Sequence, residues 1–162
     1  VTILACDPGA FGAFVLLHED NSLTIVDTPT IKVPVGKKFR SRIDTYALAT
    51  ELRKLPTPDL TVMEQLHSRP RQSAQSQYSL GHTVGVAEMA IASLHVPTHF
   101  VLPQVWQKAM GVRADINGDT KGSSRQRAQA LFPRQAKVFS RVKDDGRADA
   151  ALMALYGREF TF

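Results

Sequence analysis

Four acidic side chains fall where chemistry would need them. Asp7 closes the apolar run VTILACD, Glu64 closes LTVME, and Asp145 and Asp149 open the segment DDGRADAALMALYG. Asp145 and Asp149 are four residues apart, so on a helix they share one face, where like charges repel by roughly 0.2–0.5 kcal/mol. If the strands ending at Asp7 and Glu64 are parallel neighbours, both carboxylates reach one sheet edge, where open α/β sheets place their sites. Four converging carboxylates cannot all ionise without a strong cation. Hard oxygen donors of this kind suit Mg²⁺ or Mn²⁺ rather than zinc. Two such ions about 3.5–4 Å apart would activate a water and stabilise the leaving oxygen in phosphodiester cleavage. Each acid alone has a plainer reading. DPG is a common turn sequence, Glu64 suits a surface, and Asp144 or Asp145 could cap a helix and complement its dipole. One shared sheet edge accounts for all of them together.

The elements that must position these acids follow from the hydrophobic pattern. VTILACD and AFVLLH flank the tight turn PGAFG, so residues 1 to 18 form a hairpin, and SLTIVDTPT supplies a third strand. Residues 31 to 42, with Pro34 and Gly36, read as a loop or ragged edge. Asp44 caps a helix running to about Leu55, and LTVMEQ is the next strand. A polar stretch from 67 to 77 precedes a helix from about Ser76 to Leu94, interrupted at Gly81 and Gly85. VPTHFVL is the last strand, and Pro103 opens a short helix at a favoured first-turn position. VRADINGDTKG is a loop, SSRQRAQALF a helix stopped by Pro133, RQAKVFSRVK a basic connector, and the acidic segment a final helix. Three meandering strands followed by helix–strand alternation give an α/β chain with a mixed sheet and helices on its faces. Neither a linker nor an internal repeat divides the 162 residues, so one domain is expected.

Net charge is +5 and unevenly spread: residues 104 to 143 carry nine Lys or Arg against two Asp, and residues 32 to 42 carry five basic residues and no acid. That asymmetry points to a polyanion, nucleic acid first. No apolar run approaches the ~18–20 residues of a membrane span. The N-terminal residues lack a secretory pattern, and the single cysteine, Cys6, sits in an apolar strand and suits a reducing compartment. Other site types are excluded. DPGAFG lacks GxGxxG spacing, no GxxxxGK[ST] exists, DINGD has its glycine misplaced for an EF-hand, and no Cys/His set spaces like a zinc site. His95 and His99 read as ordinary helix-end and strand residues, and Trp106 as core.

A strand ending in Asp-Pro-Gly, a strand ending in Glu-Gln, a Lys/Arg-rich helix and a terminal DGRADAAL helix resemble the RuvC-type Holliday-junction resolvases, of the RNase H-like nuclease superfamily. VDTPT, Leu80-Gly81-His82, PQVWQKAMG and SSRQRAQALFP look closest to the chloroplast and phage-type branch. The resemblance implies an RNase H-like five-stranded mixed sheet with helices on both faces. It also implies a homodimer that binds a four-way DNA junction and nicks two opposing strands symmetrically. The acidic tetrad then carries onto Asp7, Glu64, Asp145 and Asp149. Asp7 would bridge both metals, Glu64 would bind one and orient the water, and Asp149 with Asp145 would complete the second site. Lys121, before the SSRQRA helix, would stabilise the scissile phosphate. The last two acids are three apart in the best-known bacterial members but four apart here, which leaves Asp144 as a substitute for Asp145.

DNA contacts are expected from Lys37, Lys38 and Arg40 in the 31–42 segment, from Arg69, Arg71, Tyr78 and His82 around the polar loop, and from Lys121 and Arg125. Tyr78 could stack on an opened base. The helix holding Gly81, Gly85, Ala87, Ala90 and Ala92 is expected to pack on the sheet with one side and to contribute to the dimer with another. The expected compartment is the cytoplasm, at the nucleoid or in a phage-infected cell, or an organelle if a transit peptide has been removed. The alternatives are another RNase H-like nuclease (exonuclease, RNase H or transposase-like), an actin-like ATPase fragment, and a non-catalytic junction-binding module.

Overall fold

In a computed structural model, which describes residues 1–68 and 70–160, five strands form the main sheet. They are β1 (Ile3–Asp7), β2 (Ala13–Leu17), β3 (Leu23–Asp27), β6 (Leu60–Glu64) and β7 (Thr98–Val101), in the order β3-β2-β1-β6-β7. β1–β2 and β2–β3 are antiparallel; β1–β6 and β6–β7 are parallel. The hairpin strands therefore lie on one side and the crossovers on the other, as the element order requires.

Strand alternation sorts β1 into two cores. Ile3 and Ala5 pack with Trp106 of α3 (Pro103–Met110), Ala128 of α4 (Lys121–Leu131), and Leu152 and Met153 of α5 (Asp145–Phe160). Leu4 and Cys6 face the other way, onto Leu48 and Leu52 of α1 (Thr45–Leu52) and Ala87 and Ile91 of α2 (Ala74–Ala92). Both faces are covered, so β2 is buried at every position. Burying a side chain such as Leu152 contributes about 1.5–3 kcal/mol. The cysteine is a core residue whose thiol is pushed up by burial and by the nearby Asp7 and Glu64 charges.

Three expectations change. Residues 31 to 42 are not a loop: β4 (Thr30–Val35) and β5 (Lys38–Ile43) form a separate two-stranded antiparallel ribbon. Pro34 is tolerated because each strand of a ribbon has an outer edge that needs no donor, and Gly36 turns the chain at φ 61°. Next, α2 runs uninterrupted through Gly81 and Gly85, starting at a Ser73 cap that accepts from the Ser76 amide at 3.2 Å. Its burial on α1 and the sheet outweighs the glycine cost of roughly 1 kcal/mol each. Lastly, the connector after Pro133 folds into 3₁₀ segments, Pro133–Phe139 and Val142–Asp144, anchored by fully buried Phe139. Elsewhere the expected devices hold: Asp44 Oδ1 caps α1 through the Ala47 amide at 3.0 Å, and α3 starts on Pro103; it ends at left-handed Gly111.

Candidate active site

β1 and β6 run parallel, so Asp7 and Glu64 end side by side at one sheet edge. The N-terminus of α5 crosses the same edge because Gly146 has no side chain. A Cβ there would lie 2.7 Å from Gly12 Cα, 2.8 Å from the Phe11 carbonyl and 2.9 Å from Asp7 Oδ2. That contact holds the first turn of α5 against the β1–β2 turn and brings Asp145 and Asp149 towards Asp7. Arg147 fixes the same turn from the other side, donating to both carboxylate oxygens of Asp27 at the end of β3 (2.7 and 2.5 Å).

Asp7, Asp145 and Asp149 line an open cleft of about 910 Å³ together with Lys121, Thr28 and Thr30. Burial pushes the Asp7 carboxyl well above the usual carboxylate range, and the charges of Asp149, Glu64 and Asp145 push it further; Lys121 opposes them. Asp149 rises to about 7, chiefly through burial, with Glu64 and Asp145 adding to it. The Ser124 hydroxyl beside it pulls the other way without reaching hydrogen-bonding geometry, leaving Ser124 Oγ and Asp149 Oδ1 both buried and unpaired. Glu64 lies outside the cleft lining. Burial raises it, and the Trp106 indole, donating to its Oε1 at 2.8 Å, lowers it. Trp106 is core, as expected, but it also orients an acid.

Asp144 and Asp145 part company. Asp144 is buried and accepts from Arg141 through both oxygens, with Arg147 nearby at 3.7 Å. Burial raises its pKa, but the Arg141 hydrogen bonds prevail and hold it below the ordinary value. It braces the entrance to α5. Asp145 faces α4, where it accepts from Arg125, which also donates to the Val142 carbonyl at 3.2 Å.

The donor set fits hard divalent cations: all four groups are carboxylates, one buried oxygen is orphaned, and the central acid feels the other three. Among the described residues, no three acidic, His or Cys side chains stand close enough in these orientations to hold one ion. Trp106 holds Glu64 and Arg125 holds Asp145. DINGD is no competing site, because Asp115 Oδ1 accepts from the Asn117 and Asp119 amides of its own turn (2.8 and 2.9 Å).

The expected DNA-contacting residues divide into groups. Lys121 joins the acids. Arg125 is engaged with Asp145. Lys37, Lys38 and Arg40 are exposed on the ribbon, Arg71 is exposed at φ 67°, and Arg69 lies outside the described residues. Tyr78 is 67% exposed on α2, its ring centroid 6.3 Å from that of His82. Arg147, Asp27, Gly146 and the Trp106 indole were missed as positioning groups. Arg147 and Gly146 are visible in DGRAD, but their partners lie far away in sequence.

A mixed five-stranded sheet in this order, with acids at the ends of β1 and β6 and on the last helix, is an RNase H-like α/β architecture. Neither a protein-family model nor a curated protein sequence matches the chain. Among solved structures it is similar to Thermus thermophilus RuvC in complex with a Holliday junction substrate. The identity is 15% over 99% of this chain and 98% of that one, at a TM-score of 0.61. Another structure of Thermus thermophilus RuvC gives 15%, 98% and 96%, at 0.55. The yeast mitochondrial Holliday junction resolvase Ydc2 gives 16%, 94% and 75%, at 0.46. On the two Thermus thermophilus structures, the chain has the RuvC fold. Among the described residues, no helix is long and apolar enough to cross a membrane.

Proposed function

We propose that the protein is a RuvC-type endonuclease that resolves four-way DNA junctions by symmetric paired nicks, acting as a homodimer. The observation that carries this reading is geometric: Asp7 ends beside Glu64 on parallel strands and shares one cleft with Asp145, Asp149 and Lys121. The chloroplast and phage-type affinity rests on the sequence strings VDTPT, PQVWQKAMG and SSRQRAQALFP.

Asp7, Glu64, Asp145 and Asp149 would hold two Mg²⁺ ions, or Mn²⁺ in their place. When bound, the ions supply an activated water and charge relief for the leaving oxygen. Lys121, at the first position of α4, brings an ammonium to the cleft mouth for the scissile phosphate. Trp106 fixes the direction of Glu64. Arg125 holds Asp145 from α4, so the same guanidinium can turn to a phosphate when that carboxylate is otherwise engaged. Arg71, Tyr78 and His82 lie on the segment that follows β6; Tyr78, 67% exposed, would stack on an opened base, worth ~1–3 kcal/mol. The dimer face is assigned to α2, where Cβ atoms at Gly81 and Gly85 would meet open space and Met89 is 65% exposed.

The test is strand cleavage with Mg²⁺ or Mn²⁺ on a four-way junction, a linear duplex and an RNA–DNA hybrid. Paired nicks confined to the junction support the reading. Preferential degradation of the hybrid would favour an RNase H-type enzyme instead.

Trp106→Phe keeps the ring in the core and removes the donor to Glu64. Groups that orient metal ligands are worth about 10–100-fold in metal affinity or activity. The Mg²⁺ dependence of junction cleavage should shift upward by about that factor while the fold persists. An unchanged Mg²⁺ titration would show that the indole only fills space.

A further inference from the structure

We infer that the β4–β5 ribbon is an arm that grips the phosphate backbone of a duplex DNA arm, using the single face that carries Arg42, Arg40 and Lys38. This rests on the nuclease reading for its substrate but on separate residues for its geometry.

The ribbon springs from the end of β3, at the edge that carries Asp7, because Ala13 pairs with both Asp7 and Asp27. Its first residue, Thr30, lines the acidic cleft. At its root, Ile43 is buried in the core and the Asp44 amide donates to the Pro29 carbonyl at 2.8 Å. Beyond that root the strand residues are mostly exposed, with only Val33 and Ser41 partly covered. A two-stranded ribbon is marginal alone, so one that covers no core of its own calls for another role.

The register shows what it presents. Ile31 pairs with Arg42, Val33 with Arg40 and Val35 with Lys38. Alternation puts these six side chains on one face. The three cations lie on one strand at intervals of two residues, about 6.8 Å apart, each beside an apolar neighbour that supports its stem. No acid lies between Thr30 and Ile43 to neutralise them. Lys37 sits at the turn, outside this row. Arg42 lies 2.6 Å from His82 Nε2 on α2, joining the row to the His82–Tyr78 pair. The row of cations therefore continues from the ribbon onto α2. A two-stranded ribbon also fits the DNA major groove, and a row of cations complements a polyanionic strand.

The test uses the full chain and a fluorescent synthetic four-way junction in EDTA, where affinity is measured against salt. Each phosphate contact contributes about 0.9 to the slope of log affinity against log salt. A Lys38→Gln/Arg40→Gln/Arg42→Gln variant should lose about 2–3 from that slope and bind tenfold to several hundredfold more weakly at low salt. Charge-preserving Lys38→Arg/Arg40→Lys/Arg42→Lys should retain the slope, as should Arg134→Gln, which lies by the β2–β3 turn at the far ends of the strands. A wild-type slope in the Gln variant, or equal loss in the charge-preserving one, overturns the inference. Ribbon-dependent DNA binding without cleavage by wild type would sink the nuclease reading and leave the arm standing. Junction cleavage with an unaltered slope would do the reverse. Binding to an acidic protein or anionic vesicles but not to DNA would overturn the arm's assigned partner.

Discussion

Asp149→Asn is expected to stabilise the metal-free protein at neutral pH and to abolish its cleavage. An acid whose folded pKa is raised makes the native state hold its proton more tightly than the unfolded chain. Stability then falls as pH rises from the unfolded value, near 4, through the folded one. For Asp149 the folded value is about 7, a difference of about 3 units, or on the order of 4 kcal/mol once pH exceeds 7. Asparagine removes that cost. In EDTA at pH 8 the melting midpoint should rise by roughly 8–16 °C, and the gain should shrink towards pH 4. Divalent metal should raise the midpoint of wild type more than that of the variant, since binding to the native state stabilises it. Cleavage should fall by at least ~10³-fold, as for other groups that act as a unit. Parallel stability profiles between pH 4 and pH 8 would mean that Asp149 carries no such burden.

Gly146→Ala is expected to damage the fold and the site together. Two of the three atoms that a Cβ would meet are backbone of the β1–β2 turn, and the third is Asp7 Oδ2, so no flexible side-chain end can simply swing away. Overpacking of this kind costs about 1–3 kcal/mol or more. The relief available is to lift the first turn of α5 off the sheet edge, which separates Asp145 and Asp149 from Asp7. Denaturant unfolding should report the loss of stability, and junction cleavage should fall more than stability alone accounts for. An alanine variant with native stability and full activity would show that α5 can approach Asp7 without this glycine.

The acids were legible because each obeys a local rule. Asp7 and Glu64 end apolar strands that pair in parallel, and Asp145 and Asp149 share a helix face. The choice between Asp144 and Asp145 was open in sequence, since both fit a helix start. In the fold Asp144 pairs with Arg141 and Arg147, whereas Asp145 pairs with Arg125 at the cleft. The ribbon was hidden because Pro34 and Gly36 are loop signals by composition, although a proline on an edge and a glycine in a turn also mark a hairpin. α2 was legible as a helix, and only the slight interruption expected at Gly81 and Gly85 is missing, because its packing overrides the local glycine cost. The indole of Trp106 meets Glu64 across 42 residues, a contact no local pattern encodes.

The central claim is that Asp7 organises metal-dependent phosphodiester hydrolysis on a four-way junction. Its most direct test sets wild type beside Asp7→Asn on a fixed junction with Mg²⁺ and with Mn²⁺, mapping every cut strand. Wild type should yield paired, symmetric nicks only when metal is present, and Asp7→Asn should bind the junction and leave it whole. Equal cutting by the two proteins, or cutting by wild type in EDTA, would contradict the account.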